Sequence, residues 1–206
     1  MVAIVDYGVG NLFSLKSSLE AIGEDVVVSG EEEVIRNSER IILPGVGAFS
    51  DAAKKLKDTG LDKVIIEEAQ KGKPVMGICL GMQMLLEKSY EYGVHSGLGL
   101  IKGEIKPIGD TIPKELKIPH IGWNALNFKG EKNEIFKYLK EGDFVYFVHS
   151  YHAQNCPDII ATSEYGASLT AAVARGNVYG CQFHPEKSGK TGLKILKAFC
   201  ETEVQK

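Results

Sequence analysis

A three-layer α/β/α domain around a mixed, mostly parallel central sheet is the fold class this sequence predicts, and three observations carry the prediction. Through the first half of the chain, short apolar runs alternate with stretches of helical period. That β-α-β-α order builds a parallel sheet covered by helices through right-handed crossovers. The second half changes to closely spaced strand-like runs broken by Gly, Pro and Asn, which adds antiparallel strands. Between them, an apolar run ends in Gly77-Ile78-Cys79-Leu80-Gly81 and passes straight into helix-forming residues, a strand–turn–helix junction.

Val2 to Val5 reads as a buried strand. Leu12, Leu15, Leu19 and Ile22 then recur on one face of an amphipathic helix. Val26 to Val28 is a second strand, Glu31 to Asn37 a short helix, and Arg40 to Leu43 a third strand closed by Pro44-Gly45-Val46-Gly47. Helical stretches follow near 49–57 and 61–71, then a strand from Pro74 to Ile78 and a helix over 80–87. Later strands are expected at 98–108, 118–128, 143–148, 159–163, 168–174 and 178–183, with a short helix over 133–140. Leu193, Leu196 and Cys200 share one face of a closing helix over 189–201. A length of 206 residues without repeats or linkers fits one domain spanning 1–206.

Composition removes several classes of function. A net charge of −3 with no basic stripe argues against a nucleic-acid binder. No apolar run reaches the roughly 18 residues that suggest a membrane span, and Met1 to Asp6 lacks the basic start of an export signal. The four cysteines, at 79, 156, 181 and 200, form no C-x-x-C pair, so neither a metal nor a redox motif is expected. Their low density fits a reducing cytoplasm. Cys156, Cys181 and Cys200 read as small buried hydrophobes. Asp6-Tyr7-Gly8-Val9-Gly10-Asn11 has Phe13 where a dinucleotide loop needs its third glycine, and no phosphate loop is present. No cofactor is therefore expected.

Cys79 differs from the other three because of its setting. A nucleophile on a cramped turn between strand and helix needs small neighbours, and Gly77 and Gly81 supply them. Attack on a carbonyl also needs a base, and the base needs an orienting group. His184 ends the strand 178–183, at the sheet edge where α/β folds carry their sites. In extended backbone residues i and i+2 point to the same side, so Glu186 reaches the His184 nitrogen turned away from the thiol. Pro185 stiffens the pair. A histidine beside a carboxylate is commonly structural, but the elbow and the strand-end pair together argue for a Cys79–His184–Glu186 triad. His95, His120, His149 and His152 show no such neighbour, and His95 reads as a loop residue. Oxyanion donors are expected from Leu80, just past the nucleophile, and from the 44–47 turn.

Gly77 to Gln83 together with His184-Pro185-Glu186 resembles the class I, triad-type glutamine amidotransferases. The segments 6–11, 44–47, Pro119 to Asn124, Tyr146 to Tyr151 and Phe183 to Ser188 narrow the likeness. Within that class the chain resembles the glutaminase subunits of imidazole glycerol phosphate synthase, from about residue 2 to 200. The resemblance implies that Cys79 attacks the side-chain amide of L-glutamine, that His184 protonates the departing ammonia, and that Glu186 orients His184. It implies an oxyanion hole at Val46, Gly47 and Leu80, and a glutamine pocket at Gly47, Gln83, His149 and Ser150. Gln83 lies four residues past Cys79, on the same helical face. The implied partner is a cyclase subunit, a (β/α)8 barrel that receives the ammonia, met by Asn11, Trp123, Tyr146 and Lys187. Gly45-Val46-Gly47 is expected to be flexible enough to keep the Val46 N–H off the oxyanion site until that partner binds. An amidotransferase of another pathway and a stand-alone cysteine γ-glutamyl hydrolase are the alternatives.

Overall fold

A computed structural model describes residues 1–203. The first half follows the predicted order: β1 (Val2–Val5), α1 (Leu12–Ala21), β2 (Val26–Ser29), α2 (Glu32–Asn37), β3 (Arg40–Leu43), α3 (Phe49–Asp58), α4 (Leu61–Gln70), β4 (Val75–Ile78) and α5 (Leu80–Leu85). The second half contains β5 (Leu86–Ser89), β6 (His95–Ser96), β7 (Ile101–Pro107), β8 (His120–Ala125), β9 (Asn127–Phe128), β10 (Phe144–His149), β11 (Tyr151–Gln154), β12 (Ile159–Glu164), β13 (Ser168–Arg175), β14 (Val178–Cys181) and α6 (Gly189–Cys200).

The central sheet has eight strands in the order β2-β1-β3-β4-β14-β13-β12-β9. Its first five strands run parallel and the other three join antiparallel. Alternating side chains feed two cores. Val2, Ile4, Ile42, Met76 and Ile78 pack with Leu15 and Leu19 of α1 and Ile195 and Phe199 of α6. Val5, Ile41, Leu43 and Val75 pack on the opposite face with Phe49 and Leu56 of α3 and Val64 and Ile65 of α4. Strands buried on both faces read as unbroken apolar runs, which is why β1, β3 and β4 are plain in the sequence. Each such Val or Ile side chain contributes about 1.5–3 kcal/mol by leaving water.

Four expectations are corrected. The helix over 80–87 stops at Leu85, and β5 pairs with β7 through Leu86 opposite Ile101 and Lys88 opposite Glu104. Leu, Glu and Lys favour helix, but the pairing offered by β7 overrides that preference. The single strand over 118–128 is split into β8 and β9, with Leu126 buried between them. Only a 3-10 turn, Glu134–Phe136, forms within 133–140. Nor do all later strands join the central sheet. β11, β7, β5 and β6 make a separate four-stranded sheet, and β8 pairs with β10 alone.

Candidate active site

Three neighbouring parallel strands end side by side and deliver the candidate residues to one edge. Ile42 of β3 lies opposite Met76 of β4, and Ile78 of β4 opposite Cys181 of β14. The chain therefore leaves β3 into Pro44-Gly45-Val46-Gly47, β4 into Cys79, and β14 towards His184. This is the C-terminal edge of a parallel sheet, where the crevice between crossovers admits a ligand.

Cys79 has φ 53° and ψ −110°. A side-chain-bearing residue in that region costs on the order of 1–3 kcal/mol, so the surroundings must enforce it. They do so through close backbone packing. A Cβ on Gly81 would stand 1.8 Å from the Leu43 carbonyl oxygen, and one on Gly77 would stand 2.6 Å from the Gly81 carbonyl. The Cys79 N–H donates to the Cys181 carbonyl at 2.7 Å. Gly81→Ala is therefore expected to destabilise the fold by about 3 kcal/mol, the upper range for overpacking. For a chain of this length that lowers Tm by roughly 6–12 °C. Thermal unfolding checks this, and an unchanged Tm would contradict it.

The Cys79 thiol is buried, with its sulfur 4.0 Å from the Val148 carbonyl oxygen and 3.8 Å from Gln182 Nε2. His184 Nδ1 meets Glu186 Oε1 at 2.8 Å, and the two side chains are 2% and 3% exposed. The pair forms by a different geometry from the one expected. Pro185–Lys187 is a 3-10 turn rather than extended backbone, and the turn folds Glu186 back onto the ring. His184 Nε2 is buried without a hydrogen bond to protein among the described residues. Burial alone would lower the His184 pKa, but the nearby Cys79 sulfur, the hydrogen bond with Glu186 and the charges of both groups overcome it and raise the value to about 9. The ring is thus a proton holder at neutral pH, placed between thiol and carboxylate.

The remaining predicted residues gather round the same opening. A cleft of about 610 Å³ is lined by Val46, Gly47, Cys79, Leu80, Gln83, His149, Ser150, His184 and Lys187, among others. Leu80 is the first residue of α5, so its N–H has no intrahelical partner. Gly45 is wedged in place: a Cβ there would meet the Gly81 nitrogen at 2.7 Å. Val46 is 44% exposed, and Gly47 is at φ +94°. Gln83 Nε2 donates to Gln182 Oε1 at 3.0 Å and to the Tyr151 carbonyl at 3.3 Å, which leaves its own Oε1 to accept. Burial drives the His149 pKa down to about 3.

Asn11 accepts from the Ser14 N–H and caps α1, a local role that the sequence reading did not assign. Trp123 is 52% exposed and meets Tyr146 edge to face at 5.9 Å, and Lys187 is exposed at the cleft rim. The His184 N–H donates to the Tyr146 carbonyl at 2.9 Å, and the Tyr146 N–H to Ser188 Oγ at 3.0 Å. β10 is in this way stitched to the His184 segment. Gln182 escapes sequence reasoning, since it acts through Gln83 and Cys79, both distant in the chain, whereas Ser188 lies in the segment 183–188 and also donates to the His184 carbonyl. Cys156, Cys181 and Cys200 are free thiols; the last two are buried as expected, whereas Cys156 is only half-buried, contrary to expectation.

Class-I glutamine amidotransferase is the family that matches, over residues 3–202. The chain belongs to this family. It is 49% identical to the imidazole glycerol phosphate synthase subunit HisH of Caldanaerobacter subterraneus subsp. tengcongensis, covering 98% of each chain. It is 50% identical to the HisH subunit of Aquifex aeolicus, covering 95% of this chain and 94% of that one. Among solved structures, a glutamine amidotransferase superposes with a TM-score of 0.75 at 17% identity, over 97% of this chain and 100% of that one. PurLQS from Thermotoga maritima gives 0.74 at 21% identity, over 97% and 96%. At those identities the structures support the fold, and the HisH relatives carry the narrower likeness.

Proposed function

We propose that Cys79, His184 and Glu186 hydrolyse L-glutamine to glutamate and ammonia, in a single domain that is the glutaminase subunit of imidazole glycerol phosphate synthase. The observation that carries the reading is a strained cysteine and a carboxylate-held histidine at adjacent strand ends, in a chain about half identical to HisH subunits across nearly its whole length. Cys79 attacks the amide carbon, and the tetrahedral oxygen draws on the Leu80 N–H and on the Val46–Gly47 segment. His184 gives its proton to the leaving ammonia. Water then cleaves the glutamyl thioester, with His184 taking a proton back. Gln83 Oε1 is suited to the α-ammonium group of glutamine, and the main chain at His149 and Ser150 to its α-carboxylate.

Ammonia passes to a cyclase subunit, a (β/α)8 barrel, in the cytoplasm. Asn11, Trp123, Tyr146 and Lys187 form its docking face in this reading, supported by the exposure of Trp123 and its edge-to-face contact with Tyr146. Mixing the chain with such a barrel, glutamine and the ribotide substrate tests the reading: imidazole glycerol phosphate should form. Absence of product with glutamine, when free ammonium gives product, would refute it. Trp123→Ala should leave chain stability within about 0.5 kcal/mol, as at exposed sites. It should weaken barrel binding by roughly 30-fold, the loss of an aromatic anchor worth about 2 kcal/mol. Titration calorimetry reads this, and unchanged affinity would remove Trp123 from the interface.

A further inference from the structure

A chain of side-chain hydrogen bonds runs from the glutamine cleft to the rim of β8, and it is one proton short. The Tyr151 carbonyl oxygen faces His149 Nδ1 at 2.8 Å. His149 Nε2 faces His120 Nδ1 at 3.0 Å, and His120 Nε2 faces Asn124 Oδ1 at 2.8 Å. Asn124 Nδ2 donates to the Glu164 carbonyl at 2.9 Å. Both ends of the chain are carbonyl oxygens, which only accept. Three contacts involve ring nitrogens and each needs a proton, but two neutral imidazoles carry only two N–H groups. With Asn124 so oriented, every neutral arrangement sets two lone pairs against each other at a histidine. In a buried site an unpaired polar contact of that kind is costly.

We propose that Asn124 and His120 are positioning residues for the glutamine cleft: the Asn124 amide turns over to donate from Nδ2 to His120 Nε2, which aligns both imidazole N–H groups towards the Tyr151 carbonyl. His120 Nδ1–H then donates to His149 Nε2, and His149 Nδ1–H to Tyr151. The one unfavourable contact moves to Asn124 Oδ1 against the Glu164 carbonyl, at the exposed end, where water or a donor from a docked protein can bridge the two oxygens. A shared extra proton is the other way to complete the chain, and the surroundings oppose it. Burial lowers the pKa of both rings, and the titratable groups that act on His149 are His120, His152 and His184, all bases. His120 itself is stacked between Phe147 and Tyr165, at 5.0 and 4.2 Å.

The alignment matters at Tyr151. Its carbonyl also accepts from Gln83, so the relay and the glutamine-facing amide hold one oxygen between them. His149 and Ser150, just before it, line the cleft. Asn124 follows Trp123 on β8, and its side chain takes the opposite face of the strand, the one it shares with His120. The effect on glutamine rests on the glutaminase reading above, whereas the proton arrangement does not.

Nitrogen-15 histidine spectra of the full isolated chain at neutral pH test the arrangement without any turnover. His120 and His149 should both appear as Nδ1–H tautomers. A proton on Nε2 of either ring, or a third N–H between them, would overturn the proposal. Asn124→Asp cannot donate, so His120 should move to the Nε2–H form in that variant; persistence of the Nδ1–H form would overturn it too. His120→Phe keeps a flat ring in the Phe147–Tyr165 stack but removes the donor to His149. In the complex, KM for glutamine should then rise roughly tenfold, the scale of one lost hydrogen bond, with kcat nearly unchanged. An unchanged KM in the folded variant would contradict the positioning role. A wild-type chain with the predicted tautomers but no glutaminase activity would refute the functional reading alone.

Discussion

Cys79→Ala should abolish glutamine-dependent turnover, with a loss of at least about 10⁴-fold, while ammonium-dependent formation of imidazole glycerol phosphate by the complex is retained. The magnitude follows from what nucleophile removal costs in covalent catalysis, about 10⁶-fold in the extreme, with a residual from binding and oxyanion contacts. The split between the two nitrogen sources is the informative part. Cys79 holds its place through its backbone: the N–H donates to Cys181, and the carbonyl accepts from the Gln83 N–H. Its side chain makes only long contacts to Val148 and Gln182. Removing the sulfur therefore leaves the elbow and the docking face in place, and the barrel should still assemble and use free ammonium. Alanine also relieves none of the strain at φ 53°, so a small fall in Tm is expected and no gain. Loss of both activities would instead make Cys79 an assembly residue. Residual glutaminase above about one per cent would exclude nucleophilic catalysis at this sulfur, given the expected loss.

The sheet-forming half of the fold is legible because its signals are local. Val2–Val5, Arg40–Leu43 and Val75–Ile78 are apolar runs with glycine-bearing exits, and each lies within a residue of its expected place. The proposed triad is legible for the same reason: Gly77, Cys79 and Gly81 are neighbours in sequence, and so are His184 and Glu186. What escapes is set at a distance. β5 depends on β7, the break of 118–128 depends on separate sheets, and β11 depends on pairing Tyr151 with Pro107. His120 and His149 show no partner within their own segments, yet antiparallel pairing of β8 with β10 sets them opposite each other. Glu186 is the instructive intermediate. Its role as the neighbour of His184 is readable from spacing, but the 3-10 turn that brings it there is not.

Glu186→Gln should lower glutamine turnover by roughly 10³–10⁴-fold, the scale seen when the orienting carboxylate of a catalytic triad is neutralised. An amide can still meet Nδ1, but it no longer favours the imidazolium. Burial then has less to oppose it, and the His184 pKa should fall from about 9 towards the ordinary histidine range. The same change should appear in stability. In the wild-type fold His184 keeps its proton up to about pH 9, whereas in the unfolded chain it loses it near pH 6.5. Between those values the folded state binds more protons than the unfolded state, so stability falls as pH rises. The contribution is fully present below the unfolded value and gone once pH has passed through the folded one. Glu186→Gln should flatten that slope, which denaturant midpoints taken across pH 6 to 10 would reveal by difference. The Glu186 side chain is 3% exposed with Oε2 unpaired by protein, so its charge acts on the ring through little solvent screening. If the variant kept both the wild-type slope and the wild-type rate, Cys79 alone would have to hold the His184 proton, and the carboxylate would be a structural neighbour of the site.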